Sequence, residues 1–320
     1  MASKKRDALQ TPHIPVLLQE TLRCYETMSP NGLFIDATLG YGGHSEAILR
    51  RFENIRLIGI DRDPEAIAFS TRRLAPFKAR FSAVRGAFSD VLPDLLAKER
   101  DVCGLLADFG VSSLQLDKKE RGFSFESDNL DMRMDPDAPL TAYDVVNGYD
   151  AEALGRLFRE YGESRAWRRA VKAVLEARKK GAIESGKALS EILGKVLPRK
   201  GKTNPATPLF QAIRIEVNDE LGEITRLLDV LEAQPPKGAV VGLITFHSLE
   251  DRLVKQRFKK WAQSCICPPG VPRCVCGNNH ALGELPVKKP LTATAEELEN
   301  NPRSRSAKLR CFKFFKEARA

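Results

Sequence analysis

Short apolar runs and amphipathic stretches alternate through the first third of the chain. Leu33–Ala37, Leu57–Asp61, Phe81–Val84 and Leu105–Asp108 have the length and aliphatic content of strands. Pro64–Arg73 and Ser89–Lys98 between them read as helices. This alternation predicts a parallel sheet with helices on both faces. From about Asp137 the strand signal stops. Apolar residues then recur at helical spacings: Leu154, Leu157, Phe158 and Tyr161, then Trp167, Ala170, Val171 and Val174, then Leu189, Ile192, Leu193 and Val196. Pro198–Pro208 reads as a loop, and Ile213, Val217, Leu221, Ile224, Leu228 and Leu231 predict one long amphipathic helix. After Pro235-Pro236 the apolar run Ala239–Phe246 resumes the sheet, and Leu309–Phe315 predicts a final strand. The expected fold is α/β: a Rossmann-like sheet domain, residues 1–136 and 212–320, interrupted by a small all-helical domain at 137–211.

The first strand runs into Asp36-Ala-Thr-Leu-Gly40-Tyr-Gly42-Gly43-His44, a glycine-rich turn before a helix-like segment. The second strand ends in Asp61, 21 residues after Gly40. Such a unit holds a nucleoside cofactor: the glycines admit the ligand to the backbone, and the distal carboxylate accepts hydrogen bonds from ribose hydroxyls. The turn lacks the third glycine of the dinucleotide fingerprint, because Ser45 stands there. Three features favour S-adenosylmethionine over a dinucleotide. Asp36 is placed to meet the cationic methionine end, Phe88 to flank the adenine, and Asp108 to face the methyl group. Two of the cofactor candidates have a structural alternative, Phe88 as core and Asp61 as a helix cap. A late strand after a long connection fits a methyltransferase sheet, in which the last strand inserts antiparallel. Asp108-Phe-Gly110 is no kinase motif, because no matching glycine loop, V-A-I-K strand or H-R-D loop accompanies it.

Charge adds a partner. The chain has 320 residues, 42% of them hydrophobic, and a net charge of +9. Residues 155–202 alone hold 14 Lys/Arg against 5 Asp/Glu. Residues 286–320 hold 9 against 4, and the remainder is slightly acidic. Clustered cations point to a polyanion such as nucleic acid, with solvated helix faces as the alternative. No run is long enough to cross a membrane, and no signal-type segment follows the N-terminus, so a soluble cytoplasmic protein is expected. Seven cysteines in such a chain argue against a disulfide framework. Cys265, Cys267, Cys274 and Cys276 form two C-x-C pairs that suit a structural zinc, or else a reduced exposed loop. Cys24, Cys103 and Cys311 read as core.

Long segments resemble one family, the small-subunit ribosomal RNA methyltransferases H, or MraW family. They are His13-Ile-Pro-Val-Leu-Leu, Asp36–His44, Gly59-Ile-Asp61-Arg-Asp63-Pro64, Asp108–Asp117, Arg121–Phe125 and Leu130–Asp135. Later ones are Asn204-Pro-Ala-Thr, Phe210–Leu221, Phe246–Arg252 and Asn301–Arg310. The resemblance implies S-adenosylmethionine-dependent methylation of N4 of one cytidine in the decoding region of 16S rRNA, within the small ribosomal subunit. It places cofactor positions at Gly42, Gly43, His44, Asp61, Phe88, Asp108 and Gln115. The sequence departs from the family pattern at Thr245, Pro208, Leu209 and Ser164, in regions expected to face RNA.

A cytosine amine is a poor nucleophile, because its lone pair is delocalised into the ring. Asp108 is the first candidate to accept its protons. His247 and Asp251, after the Ala239–Phe246 strand, are candidates to bind the cytosine edge or relay a proton, with a locally satisfied His247 as the alternative. Arg303 and Arg305 are candidates to bind phosphate or to order the active-site mouth. The target base is expected to be flipped out. Alternative readings are a DNA or protein methyltransferase and a ribosome-assembly factor with a vestigial pocket. The residues leave monomer and homodimer both open.

Overall fold

The predicted strands form, and all but the last pair in parallel. In this computed structural model β1 (Gly32–Asp36) lies between β2 (Ile55–Asp61) and β4 (Val102–Asp108). Next to β2 is β3 (Phe81–Arg85), and next to β4 is β5 (Val240–Thr245). β7 (Lys308–Phe314) adds antiparallel to β5, and the short β6 (Gly283–Glu284) pairs antiparallel with β7. Among the described residues the order is β3-β2-β1-β4-β5-β7-β6. The structure describes residues 14–111, 115, 118–199, 201 and 204–316. His13, the N-terminal segment, and residues 112–114 and 116–117 of the Asp108–Asp117 motif lie outside them, as do residues 200, 202 and 203 of the expected Pro198–Pro208 loop.

β4 and β5 are almost wholly buried because helices cover both faces. One face packs under α1 (Leu18–Cys24), α2 (Gly43–Arg51) and α3 (Pro64–Arg73) through Leu17, Ile48, Leu49 and Leu74. The other packs under α4 (Phe88–Lys98), a helix at Glu220–Ala233 and one at Ser248–Trp261. There Trp261 stacks among Phe258, Phe312 and Phe314 with ring centroids 5.3 to 5.5 Å apart.

A second core gathers Phe123, Met132, Phe158, Leu189, Phe210 and Val217 with their neighbours. It is enclosed by α5 (Ala142–Gly148), α6 (Ala151–Glu160), α7 (Trp167–Arg178), α8 (Gly186–Gly194) and α9 (Thr207–Asn218). The helix expected through 213–231 is in fact two. α9 stops at Asn218, Asp219 adopts the left-handed conformation with φ 46°, and α10 (Glu220–Ala233) starts in a new direction. Asp tolerates that backbone better than an aliphatic residue does. Apolar periodicity carries on across the break, which is why spacing alone does not reveal it.

Asn218 ties this corner together. Its Oδ1 accepts from Met134 N at 2.7 Å, and its Nδ2 donates to Met132 O at 2.8 Å and Arg214 O at 2.9 Å. The residue is buried. Asn218→Ala orphans one N–H and two carbonyls and is expected to cost about 1–3 kcal/mol in urea unfolding. A loss under about 0.5 kcal/mol would show that water replaces these bonds.

One expectation about cysteine needs correcting. Cys24 and Cys311 are buried as predicted, but they are joined in a disulfide. α1 crosses β7 and brings the two Cα atoms to 6.2 Å, although 287 positions separate them in the chain. Cys103 is buried and free, with Sγ 3.3 Å from Leu33 O.

Candidate active site

The carboxyl ends of β1, β2, β3 and β4 open into one cavity of about 380 Å³, within the usual range for small-ligand sites. Gly40, Tyr41, Gly43 and His44 form one wall and Asp61, Gly86 and Phe88 another. Asp108 and Gln115 line it from the β4 side. From the helices come Arg214, Glu220, Glu223 and Glu250, with Phe246 and Arg303 at the rim.

The glycine turn has a physical reason. Gly42 sits at φ 71° directly before α2, and a Cβ there would meet Ser70 and Leu74 at 3.3 and 3.1 Å. Both the backbone region and the space therefore favour glycine. Asp61 braces the turn from across the cavity: its Oδ2 accepts from Gly40 N at 2.8 Å and its Oδ1 from Asp63 N at 2.9 Å. Burial pushes its carboxyl up to about 6 despite those bonds. Asp63 rather than Asp61 caps α3, and it also pairs with Arg121 at 2.9 Å and accepts from Gln115 at 3.2 Å.

Asp36 departs from its expected role. It lies behind the turn, 2% exposed, and is not on the cavity wall. Its oxygens accept from Ser45 Oγ at 2.6 Å and Thr38 N at 3.2 Å. It orders the turn and lends negative potential to the cavity floor. His44 is also buried, and burial lowers its ring to about 4, so the imidazole is neutral. Its Nε2 is 2.9 Å from Val16 O, which makes Nε2 the protonated nitrogen and leaves Nδ1 as acceptor, 3.9 Å from Asp108 Oδ2.

Asp108 is the most perturbed acid of the cavity. Burial first, then the charges of Asp36 and Glu250, push its carboxyl up to about 8. Its backbone N–H donates to Thr38 Oγ1 at 2.6 Å, which fixes the end of β4. Its Oδ1 is buried without a hydrogen-bond partner among the described residues. Buried acids with orphaned oxygens in a cleft mark functional sites.

The loop after β5 leads into α11 (Ser248–Trp261), and here the structure reassigns two candidates. Asp251 is drawn off the cavity by β7, bonding Arg310 at 2.7 Å and Lys308 at 3.3 Å, which hold its carboxyl below the usual range. The correction is that Asp251 clamps α11 to the sheet. His247 stands behind the cavity wall, its Nε2 3.0 Å from Glu250 Oε1. Glu250 itself, fully buried, faces the cavity. Its Oε2 accepts from Phe246 N at 2.7 Å and His247 N at 3.2 Å, while Oε1 makes no well-angled hydrogen bond. In the sequence Glu250 stands inside the Phe246–Arg252 segment, and nothing there singles it out.

Glu220 and Glu223 were also missed. They sit in the first turn of α10, where the helix dipole favours acids. Arg214 grips Glu220 through two bonds of 2.7 and 2.9 Å, and Arg62 reaches Glu223 at 3.4 Å. Glu220, His247 and Glu250 offer ligand atoms within 4.8 Å of one another. Arg214, partly buried, already supplies a positive charge to this group through Glu220. Arg303 lines the cavity, whereas Arg305 is exposed and does not.

An acidic, glycine-walled cleft at the carboxyl edge of a 3-2-1-4-5-7-6 sheet suits a cationic nucleoside cofactor. Comparison with known proteins agrees. Three proteins described as ribosomal RNA small subunit methyltransferase H are similar over nearly the full chain. The one from a Sulfurovum species is 60% identical over 96% of this chain and 99% of its own length. Those from a Nitratiruptor species and from Wolinella succinogenes are 57% and 56% identical with the same coverage. Residues 10–315 match the model of the MraW methylase family, and the chain belongs to that family.

Proposed function

We propose that this enzyme uses S-adenosylmethionine to methylate N4 of one specific cytidine in the decoding region of 16S rRNA, acting on the small ribosomal subunit in the cytoplasm. The observation that carries the reading is Asp108, a buried acid with an unpartnered oxygen on the wall of the cofactor cleft. Membership of the MraW family and 60% identity to a small-subunit rRNA methyltransferase support the substrate. Among the described residues no helix is long and apolar enough to cross a membrane.

The cleft residues fit the cofactor. Asp61 would accept from ribose hydroxyls with its remaining lone pairs, Phe88 would flank the adenine, and the backbone of Gly40–Gly43 would face the methionine part. When bound, S-adenosylmethionine supplies an electrophilic methyl on a positive sulfur. Asp108 accepts a hydrogen bond from the cytosine amine, localises its lone pair and takes up the proton it loses. Glu250 Oε1 is placed to accept from the same amine or the base edge. His247 positions Glu250. The insertion read at 137–211 would grip the RNA around the target through exposed Arg156, Arg165, Arg168 and Lys172. Outside the cleft, Cys265, Cys267, Cys274 and Cys276 form a set suited to a structural metal.

The Asp108 role sets a pH dependence. In the free enzyme the carboxyl is protonated below about 8 and so cannot accept a proton. kcat/KM is expected to climb about tenfold per pH unit and level off above that point. kcat at saturating cofactor breaks at lower pH, because a cation in the cleft favours the ionised carboxylate. A kcat/KM profile flat between about pH 6 and 9 would remove Asp108 from the role.

The function itself is tested with methyl-labelled S-adenosylmethionine and unmethylated small subunits. N4-methylcytidine in 16S rRNA is the expected product. Tight cofactor binding without label in subunits or naked rRNA would overturn the substrate and favour an assembly factor.

A further inference from the structure

We infer that residues 262–282 are a zinc knuckle, in which one zinc held by Cys265, Cys267, Cys274 and Cys276 closes a loop that has no core of its own. The inference deepens the structural-metal reading above and rests on it. The loop leaves the end of α11 at Trp261 and returns to β6 at Gly283. None of its residues is buried, and Ile266 and Val275 are 58% and 81% exposed. Hydrophobic burial therefore cannot hold it in one conformation. Its backbone is nonetheless drawn shut: His280 N donates to Ser264 O at 3.0 Å and Leu282 N to Trp261 O at 2.8 Å. Small units without a core are commonly fastened by a metal.

The sulfur geometry names the fastener. Cys274 Sγ lies 3.6, 3.9 and 3.5 Å from the sulfurs of Cys265, Cys267 and Cys276, and the Cys276–Cys265 distance is 3.7 Å. All four sulfurs fall within 4.8 Å of one another. These separations are too long for disulfide bonds. A tetrahedron with such edges has its centre about 2.3 Å from each corner, the length of a zinc–thiolate bond. Two backbone bonds complete the site with near twofold symmetry. The middle residue of each C-x-C pair donates to the far sulfur of the other, Ile266 N to Cys276 Sγ and Val275 N to Cys267 Sγ, both at 3.4 Å. Such N–H groups favour the thiolate form that a metal requires. Tetrahedral sulfur sets suit zinc or iron. With Cys274 exposed, the set lacks the sequestration a tuned iron centre uses, and zinc is the assignment.

The knuckle is remote from the chemistry. α11 spans 14 residues from the cleft at Ser248 to the loop at Trp261, about 20 Å of helix. The metal therefore fastens the far end of α11 to the sheet edge and takes no part in methyl transfer.

The test uses the full chain purified without added chelator. Elemental analysis is expected to find one zinc per chain, and titration with a mercurial should release it as four thiolates react. Cobalt in its place should show sulfur-to-metal charge transfer and the visible bands of a tetrahedral site. Cys274→Ser should lose the zinc and lower the melting temperature, with methyl transfer per folded molecule unchanged at low temperature. Four freely reactive thiols with no metal, a pair of disulfides, or iron in place of zinc would each overturn the inference. Cobalt in the purified wild-type chain decides the matter even if the variant fails to fold. Methyl transfer is assayed on the same samples, so an active metal-free enzyme defeats the knuckle alone. A zinc-bound but inactive one defeats the proposed reaction alone.

Discussion

Asp108→Asn should lower single-turnover methyl transfer by about 10²- to 10⁴-fold, the range a positioned proton acceptor supplies. Asparagine keeps the size of the side chain and can still accept one hydrogen bond. It cannot take up a proton, and its amide presents two donors to an amine that is itself a donor. Rapid-quench measurement with enzyme in excess isolates the transfer step from product release. Affinity for S-adenosylhomocysteine, whose sulfur is neutral, should stay within about threefold, because no charge is lost opposite a charge. The variant's rate should also lose the pH dependence of the wild type. A fall of less than tenfold would remove Asp108 as acceptor, and Glu250, the other acid on the cavity wall beside it, would then be examined as Glu250→Gln. That second variant is the less clean probe, since Glu250 also satisfies Phe246 N and His247 N.

The sheet was legible because its strands are short apolar runs divided by amphipathic helices, and that pattern follows from burying both faces of a parallel sheet. Asp61, Phe88 and Asp108 were legible as cavity-lining residues because Asp61 and Asp108 end their strands and Phe88 follows β3 closely, at the edge where such sheets place ligands. Other features depend on geometry that the pattern does not encode. Glu250 and Asp251 are adjacent in sequence, yet a helix turns about 100° per residue. One acid therefore faces the cleft while the other meets Arg310 and Lys308 on β7. Asp36 carries the charge expected of a cofactor ligand but is spent on Ser45 and Thr38. The Asp219 break and the Cys24–Cys311 pairing are tertiary outcomes, one hidden by continuous periodicity and the other by the length of chain between the two sulfurs.

Burial pushes Asp61 on the cleft wall and Asp36 behind the glycine turn up to about 6, and Asp108 up to about 8. Each favours a cation over a neutral ligand of the same shape, because a positive charge restores the ionised forms. Binding is therefore expected to favour the charged sulfonium over its neutral product.

Asp61→Ala should weaken S-adenosylmethionine by about 10²-fold or more, as two charge-assisted ribose hydrogen bonds are worth about 1.5–3 kcal/mol each. Part of any loss comes from the turn, because Gly40 N and Asp63 N lose their acceptor. A cycle separates the two contributions. Calorimetry of wild type and variant with the cofactor, and with an analogue lacking both ribose hydroxyls, gives four affinities. If Asp61 holds the ribose, the variant should bind cofactor and analogue almost equally, while the wild type prefers the cofactor strongly. If Asp61 only braces the turn, the substitution weakens both ligands by the same factor, and the coupling energy falls to zero. The second outcome would leave the ribose without a carboxylate partner on β2 and undo the cofactor pose on which the Asp108 chemistry depends. The two variants therefore test one arrangement from its opposite ends.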